Sequence, residues 1–470
     1  MNIGNKIRDT IKGWLFQDGG GYIPMGSYSK TQEYNVWYEG DEQQLARYYS
    51  QTNFNENDIK VKANYLYNNA YSAERILHSG IPRLISDTMA RILFSGGVDL
   101  TVMNGEKEDE IAQETLKTIL KVNKMRKKHQ EGASIESAFG EFAYKLTYDS
   151  AVSEFVNIDV YKPTQYQATY DCDRLQQVIF IDNFQENKKE YQLKEIYGKG
   201  FIDYQLYANK GGKYEQVPLT YSNRTNELVR VEFIDTDIIL AAVKTNKTVK
   251  GRSDYEGLIS EFDSLDEAWS NFSEEMRNAK TNKYIPQRMI NGNKLDPRMV
   301  GRYVLIETDL DSDQKIQYEQ ANLRTTAWSE AINAHLNNIL MNVGLSPATI
   351  GLDTAGANAS GESRRELEKA SLRTRAERME LWEEFLSDFY ELVLVAQDML
   401  SKKLYKEYSV KVQFGEYIVD TISERVASVK DLLMLGVIDA EFALEQVYGD
   451  TISQEEKDRI LTSLGDKVIE

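Results

Sequence analysis

The chain has 470 residues, of which 41% are hydrophobic and 28% charged, which excludes both a single small core and wholesale disorder. Lys and Arg number 56 against 74 Asp and Glu, a formal net charge of -18, so a surface built to grip nucleic-acid phosphates tightly is excluded as well. Cys172 is the sole cysteine; it cannot close an internal disulfide and fits a reducing cytosol.

At the start, Lys6, Arg8 and Lys12 lie among Ile7, Ile11, Trp14 and Leu15, an amphipathic helical pattern without the continuous apolar core of an export signal. The longest apolar runs, 238–243 and 392–396, fall far short of the roughly 20 residues that cross a bilayer, so no membrane helix is predicted. Residues 72–94 keep Ile76, Leu77, Ile81, Leu84, Ile85, Met89, Ile92 and Leu93 largely at helical spacing, with a break or fresh start at Pro82. The helical pattern stays over 108–140. Around its end sit Lys121, Lys124, Arg126, Lys127 and Lys128. This basic cluster reads either as a solvated helix C-terminus, where cations complement the dipole, or as a site meeting DNA or an acidic neighbour.

From 142 to 243 the period changes to two, in runs at 142–148, 155–160, 178–181, 191–196, 201–207 and 229–233. Turns rich in Gly, Asn and Asp separate them, which predicts an antiparallel meander. This half is α+β.

Beyond Gly251 helices dominate. Leu265, Ala268, Trp269, Phe272, Met276 and Ala279 form one narrow stripe, opposite Glu267, Ser270, Glu274, Asn278 and Thr281, so a helix of roughly 30 Å is expected to bury one edge and leave the other wet. Residues 284–324 leave the helical period, punctuated by Pro286, Gly292 and Pro297 around a strand-like 302–307. A second helix carries Trp328, Ile332, Leu336, Ile339, Leu340 and Val343 on one face. Residues 346–361 are mostly Gly, Ala, Ser and Thr with one charge, Asp353, and a mobile loop is expected there. Ser363 with Glu366 forms a capping box that predicts the start of a helix running to about 403. Its first half carries Arg364, Arg365, Lys369, Arg373, Arg375 and Arg378, its second half Trp382, Phe385, Leu386, Phe389, Leu392 and Val393. A strand-like 410–414 and three short helices close the chain, two of them opened by Thr421 with Glu424 and Ser453 with Glu456.

Enzymatic signatures fail. There is no GxxxxGK[ST] phosphate loop, and the GxGxxG opened by Gly198 and Gly200 meets Asp203 where the third glycine is needed. His78, His129 and His335 are far apart and make no HExxH, so each reads as structural. Asp309, Asp311 and Asp313 have the alternate spacing that opens a calcium loop, but Gln314 stands where the turn wants Gly and Gln320 where the bidentate Glu belongs. They read as an exposed acidic turn. No cofactor is expected.

The later segments, in their order, resemble the portal proteins of tailed double-stranded DNA bacteriophages, of the siphovirus head-to-tail connector type. GRSDYEGLISEFDSLDEAWS at 251–270 resembles the entry into that family's first stem helix. IQYEQANLRTTAWSEAINAHLNNILMNVGLSPATIG at 316–351 resembles the exit from the clip into the second stem helix. GANASGESRREL at 356–367 is similar to the tunnel loop entering the long helix, and VKDLLMLGVIDAEFALEQVYGDTISQEEKDRI at 429–460 is similar to crown helices.

The resemblance implies an N-terminal region and α/β wing over 1–260, a first stem helix at 261–283, a clip at 284–324 and a second stem helix at 325–345. It further implies a tunnel loop at 346–362, a long kinked wing helix and returning strand at 363–419, and a helical crown at 420–470. It implies a homo-oligomeric ring, a dodecamer, at one capsid vertex, through which a terminase motor drives double-stranded DNA and from which the DNA later leaves. Head-completion adaptors, major capsid protein and scaffolding protein are the other implied partners, with assembly in the host cytoplasm and residence in the virion. On this resemblance Thr349, Asp353, Thr354, Asn358 and Ser360 in the loop, and Glu267, Glu274 and Asn278 on the polar edge of the first helix, are the residues expected to face DNA in the channel. Two other readings stand beside it: a different virion structural protein of the tail or baseplate, and a metal-dependent nuclease using Asp309, Asp311 and Asp313.

Overall fold

A computed structural model describes residues 29–51, 77–105, 107–149, 153–233, 237–279, 282–286, 303–306, 317–319, 322–352, 361–401, 408–415 and 439–448, with isolated positions 426, 429, 430, 433, 457 and 459–461. The chain is α+β. Helices α1 (Lys30–Glu39) and α2 (Glu42–Gln51) precede α3 (Ile81–Leu93). Pro82 stands in the first turn of α3, where its missing N–H costs nothing, and Ile85, Met89, Ile92 and Leu93 face the core.

The helical pattern over 108–140 forms two helices rather than one, α4 (Glu110–Val122) and α5 (Met125–Phe139). The break has a local cause. Asn123 is buried and spends its side-chain amide on the Ile119 and Val156 carbonyls, while its Oδ1 accepts the Ile158 N–H at 2.9 Å. Lys124 then turns left-handed at φ 53.

Strands β1 (Val98–Asn104) and β2 (Lys107–Glu108) lie between α3 and α4, and β3 (Glu141–Thr147) and β4 (Asn157–Tyr161) follow α5. The meander continues as β5 (Tyr166–Asp171), β6 (Arg174–Glu186), β7 (Lys189–Gly198), β8 (Phe201–Lys210), β9 (Lys213–Val217), β10 (Val231–Glu232) and β11 (Ala241–Thr245). Six of these build one antiparallel sheet, ordered β10-β8-β7-β6-β5 with β9 beside β8, and β11-β3-β4 form another. The period-two runs thus sit in strands, and β5, β9 and β11 are added to them.

Helix α6 (Ile259–Asn278) leads into a small mixed sheet of β12 (Asn282–Pro286), β13 (Tyr303–Ile306) and β14 (Gln317–Glu319). In it β12 pairs parallel with β13 and antiparallel with β14. Helix α7 (Thr325–Val343) follows, then the 40-residue α8 (Gly361–Leu400), β15 (Ser409–Phe414) and α9 (Ala440–Tyr448). Strand β15 returns to pair antiparallel with β1, Val410 opposite Val102.

The largest core forms where the second half of α8 meets β3 and α5. Trp382, Phe389 and Tyr390 are buried there with Phe142, Tyr144 and His129, and the Tyr144 and Phe389 rings stack at 4.5 Å. His129 is structural: its two ring nitrogens meet the Tyr144 and Tyr390 hydroxyls at 2.8 Å each, and burial pushes its pKa down to about 3.

The charged first half of α8 is not uniformly wet. Arg375 is buried and donates to the carbonyls of Ile92 and Gly415 at 2.8 and 2.6 Å. Arg378 is buried against Asp254, which also accepts from Ser137 Oγ at 2.6 Å and Lys247 Nζ at 2.8 Å. Burial works against the Asp254 charge, yet the Arg378 and Lys247 cations outweigh it and hold the carboxyl below its ordinary range. Beside them, burial raises Glu136 although Lys244 lies 3.4 Å away and Trp382 Nε1 donates to it at 2.6 Å. These bonds fix the segment before α6 onto α5 and α8.

Candidate functional site

Helices α6 and α7 pack against each other on either side of the small sheet, and their lengths, 20 and 19 residues, make each roughly 30 Å long. Glu275 near the end of α6 clasps the start of α7. It accepts from Arg324 N–H at 3.1 Å and from the Arg324 guanidinium at 3.1 and 3.3 Å, and from Trp328 Nε1. The hydrogen bonds from Arg324 and Trp328 pull its carboxyl down to about 2. Further along, Glu261 Oε2 meets His335 Nδ1 at 2.9 Å.

The apolar stripe of α6 is only partly covered within one chain. Leu265, Ala268 and Ala279 are buried, but Trp269 and Met276 are 45% and 48% exposed, as is Met341 of α7 at 79%. The polar edge is not uniformly wet either. Ser270 is buried and its Oγ accepts the Leu77 N–H at 2.7 Å, while Asp266 accepts from Ser79 N–H at 2.9 Å and meets His78 Nδ1 at 2.8 Å. The chain at 77–79 therefore covers that edge. Of the residues predicted from this edge, Glu267 is exposed and Glu274 half-buried; Asn278 lies on α6 and its side chain is outside the described residues.

Directly after α7, residues 344–352 are tied down more than their composition predicts. Gly344 caps α7 at φ 76, and Thr374 Oγ1 of α8 donates to its carbonyl at 2.8 Å. Ser346 N–H donates to Ser371 Oγ at 2.8 Å, and Thr349 Oγ1 lies 2.7 Å from the same hydroxyl. Pro347–Ile350 form a short 3-10 helix on this anchor. Thr349 is thus half-buried and tied to α8, while Asp353, Thr354, Asn358 and Ser360 lie outside the described residues. Helix α8 begins at Gly361, so Ser363 is inside its first turn rather than at its cap. Sequence reasoning missed Glu275, Ser371 and Thr374. The signal for the last two was faint: small hydroxyls three apart in a charged half-helix.

Helix α7 has a character of its own. Glu330 is its only carboxylate, and Asn333, Asn337, Asn338 and Asn342 are exposed along it, an amide-bearing surface in a strongly acidic chain. No helix among the described residues is long and apolar enough to cross a membrane. No group of His, Cys, Asp or Glu among the described residues could hold a metal ion, and Asp309, Asp311 and Asp313 lie outside them.

Paired helices joined through a small mixed sheet, a hydroxyl-anchored segment and a long helix packed on an α/β body make up an α+β protein. Residues 27–467 match the family described as phage portal protein, SPP1 Gp6-like. The chain belongs to that family, and its role is that of a portal, a structural component at a vertex of the phage capsid.

Solved structures of gene transfer agent particles are similar to it. One titled as the virion of the native particle is 11% identical, covers 98% of this chain and 99% of its own, and has a TM-score of 0.41. The neck of the empty particle computed with C6 symmetry is 11% identical over 78% and 89% of the two chains, TM-score 0.37. The neck of the native particle computed with C12 symmetry is 12% identical over 81% and 89%, TM-score 0.33. No curated protein matches the chain.

Proposed function

We propose that twelve copies close into a ring whose central passage carries double-stranded DNA into the capsid during packaging and out of it at ejection. The observation that carries this reading is the pair α6 and α7, clasped by Glu275 and Arg324, with Trp269, Met276 and Met341 left uncovered in a chain of the portal family. Apolar side chains exposed on helix faces are buried at low cost when neighbours repeat around a closed ring. In this reading α6 and α7 are the stem, β12, β13 and β14 belong to the clip, 346–360 form the tunnel loop, α8 and the sheets are the wing, and the C-terminal helices are the crown.

Twelve copies carry a formal charge of about -200, which keeps the passage from sticking to the phosphates that move through it. Thr349, Asp353, Thr354, Asn358 and Ser360, with Glu267, Glu274 and Asn278, are the proposed DNA-facing residues. Terminase would dock at the clip during packaging, and head-completion adaptors afterwards; capsid and scaffolding proteins would surround the wing, with assembly in the host cytoplasm. ATP hydrolysis belongs to the motor.

Native mass analysis of the purified chain tests the ring. A twelvefold species supports it; a trimer or a monomer at every concentration contradicts it. Deleting 351–359 should then leave the ring intact and reduce DNA packaging or retention, and normal packaging by that variant removes the loop's proposed role.

A further inference from the structure

We infer that the turn between α4 and α5 docks onto the outward face of α8 in the adjacent copy, so that each junction of the ring is held by a basic turn on an acidic helix. This rests on the ring reading above. The problem it solves is electrostatic: copies with a net charge of -18 repel one another unless oppositely charged surfaces meet where they touch.

The basic side is built by the break in the helix. No acidic residue occurs between 115 and 130. Lys128 folds inward onto the Ile158 carbonyl and Asp159, whereas Lys121, Lys124, Arg126 and Lys127 are exposed and form no ion pair with any described residue. The left-handed Lys124 makes the turn that presents them. Beside them Ile111, Thr115, Thr118 and Val122 run along one line of α4, with Ile111 82% and Val122 48% exposed. The two threonine hydroxyls are already spent on the Ile111 and Glu114 carbonyls at 2.8 Å each. The cations thus border the C-terminal end of this line, whose N-terminal end is flanked by Glu110 and by Glu114, the latter paired with Lys117 at 3.3 Å; exposed apolar side chains beside a cationic turn are the composition of a contact.

The acidic side lies on α8. Glu377, Glu380, Glu384 and Asp388 are exposed, with Leu381, 39% exposed, in their midst; Glu380, Glu384 and Asp388 form no ion pair with a described cation, and Glu377 interacts only with its chain neighbour Arg378, whose charge is already spent on Asp254. At about 100° per residue they share an arc of about 80° opposite Trp382, Leu386, Phe389 and Val393. Like charges four apart, as at 380, 384 and 388, weaken an isolated helix, and partial burial together with the Glu384 charge pushes the Asp388 carboxyl up. A row of cations from outside removes that repulsion.

The two surfaces face apart, as a head-to-tail contact in a ring requires. Val156 N–H donates to Gln397 Oε1 of α8 at 3.0 Å, and the Val156 carbonyl accepts from Asn123 at 2.8 Å. Gln397 lies about 140° around α8 from the centre of the acidic row. One chain therefore cannot close the contact on itself, and a neighbour can.

Charge reversal of the full chain tests this. K121E/K124E/R126E/K127E and E377K/E380K/E384K/D388K are each expected to keep the wild-type circular dichroism spectrum and to lose ring assembly, or to dissociate at a salt concentration lower by about two-fold or more. Mixed in equal amounts they should assemble again, as alternating rings, and a chain carrying both sets should assemble alone. In a Cys172→Ser background, K124C with E384C should give a ladder of disulfide-linked chains. Wild-type rings with unaffected single-set variants, or folded variants that fail to recover on mixing, overturn the docking alone. A wild-type chain that never forms rings overturns the ring reading and the docking with it. Loss of duplex DNA binding by the lysine and arginine reversal, with assembly unchanged, assigns the turn to DNA and overturns the contact.

Discussion

Arg378 of α8 donates to Asp254, and both side chains are sealed from solvent at 5% and 0% exposure. Asp254 lies five residues before α6, so this pair joins the long helix to the root of the proposed stem. Buried ion pairs of this kind add little net stability over apolar packing, but removing one partner strands the other.

Arg378→Met should therefore lower unfolding stability by about 3 kcal/mol, measured by chemical denaturation. Arg378→Met with Asp254→Asn should recover part of that loss, because less uncompensated charge remains in the interior. A single variant that unfolds like the wild type contradicts the role given to the pair.

His129 predicts a pH dependence. Its folded pKa is about 3, below the 6.5 or so of an unfolded histidine. Between these values the unfolded chain binds more protons, so this contribution to stability is complete above about pH 6.5 and is lost as pH falls toward 3. The slope from this group reaches about 1.4 kcal/mol per pH unit. His129→Gln should show a flatter acid limb than the wild type in denaturation series from pH 7 to pH 4; parallel limbs refute the assignment.

Gly344 predicts a packing effect where α7 ends. A Cβ there would stand 2.3 Å from Thr374 Oγ1, on a backbone at φ 76. Gly344→Ala should cost about 2 kcal/mol through strain and the lost Thr374 bond, and adding Thr374→Ala should relieve the steric part. Equal melting of Gly344→Ala and wild type contradicts the geometry.

Glu275 predicts a local effect. Its clasp is a surface feature, so Glu275→Ala should leave global melting nearly unchanged while amide exchange around 324–328 speeds up. With the carboxyl held at about 2 by Arg324 and Trp328, the clasp should persist through pH 4.5 and open only as pH falls toward 2. Unchanged exchange in the variant argues against a clasp.

Much of this fold was legible because burial follows period. The spacing of Ile85, Met89, Ile92 and Leu93 specifies α3, and alternation specifies most of the meander. Pairing over long separation was not legible: nothing local in Val98–Asn104 points to Ser409–Phe414, although the two strands share a ladder. Buried charge misleads pattern reading for a physical reason, since Arg375 and Arg378 look like surface residues until their backbone and carboxylate partners are known. The break at Asn123 was hidden because its cause is the edge of β4, more than thirty residues on. At the candidate site, the stripe of Trp269 and Met276 could be read, but not that a single chain leaves both exposed. Thr349 was expected in a mobile loop and is instead held by Ser371, a residue whose role depends on how α8 lies against the end of α7.

Electron micrographs of the purified chain, classified for end-on views, test the central claim most directly. Rings with an open, stain-filled centre wide enough for duplex DNA are predicted. Solid discs, or separate chains at all concentrations, would contradict a passage formed by closure of copies around an axis.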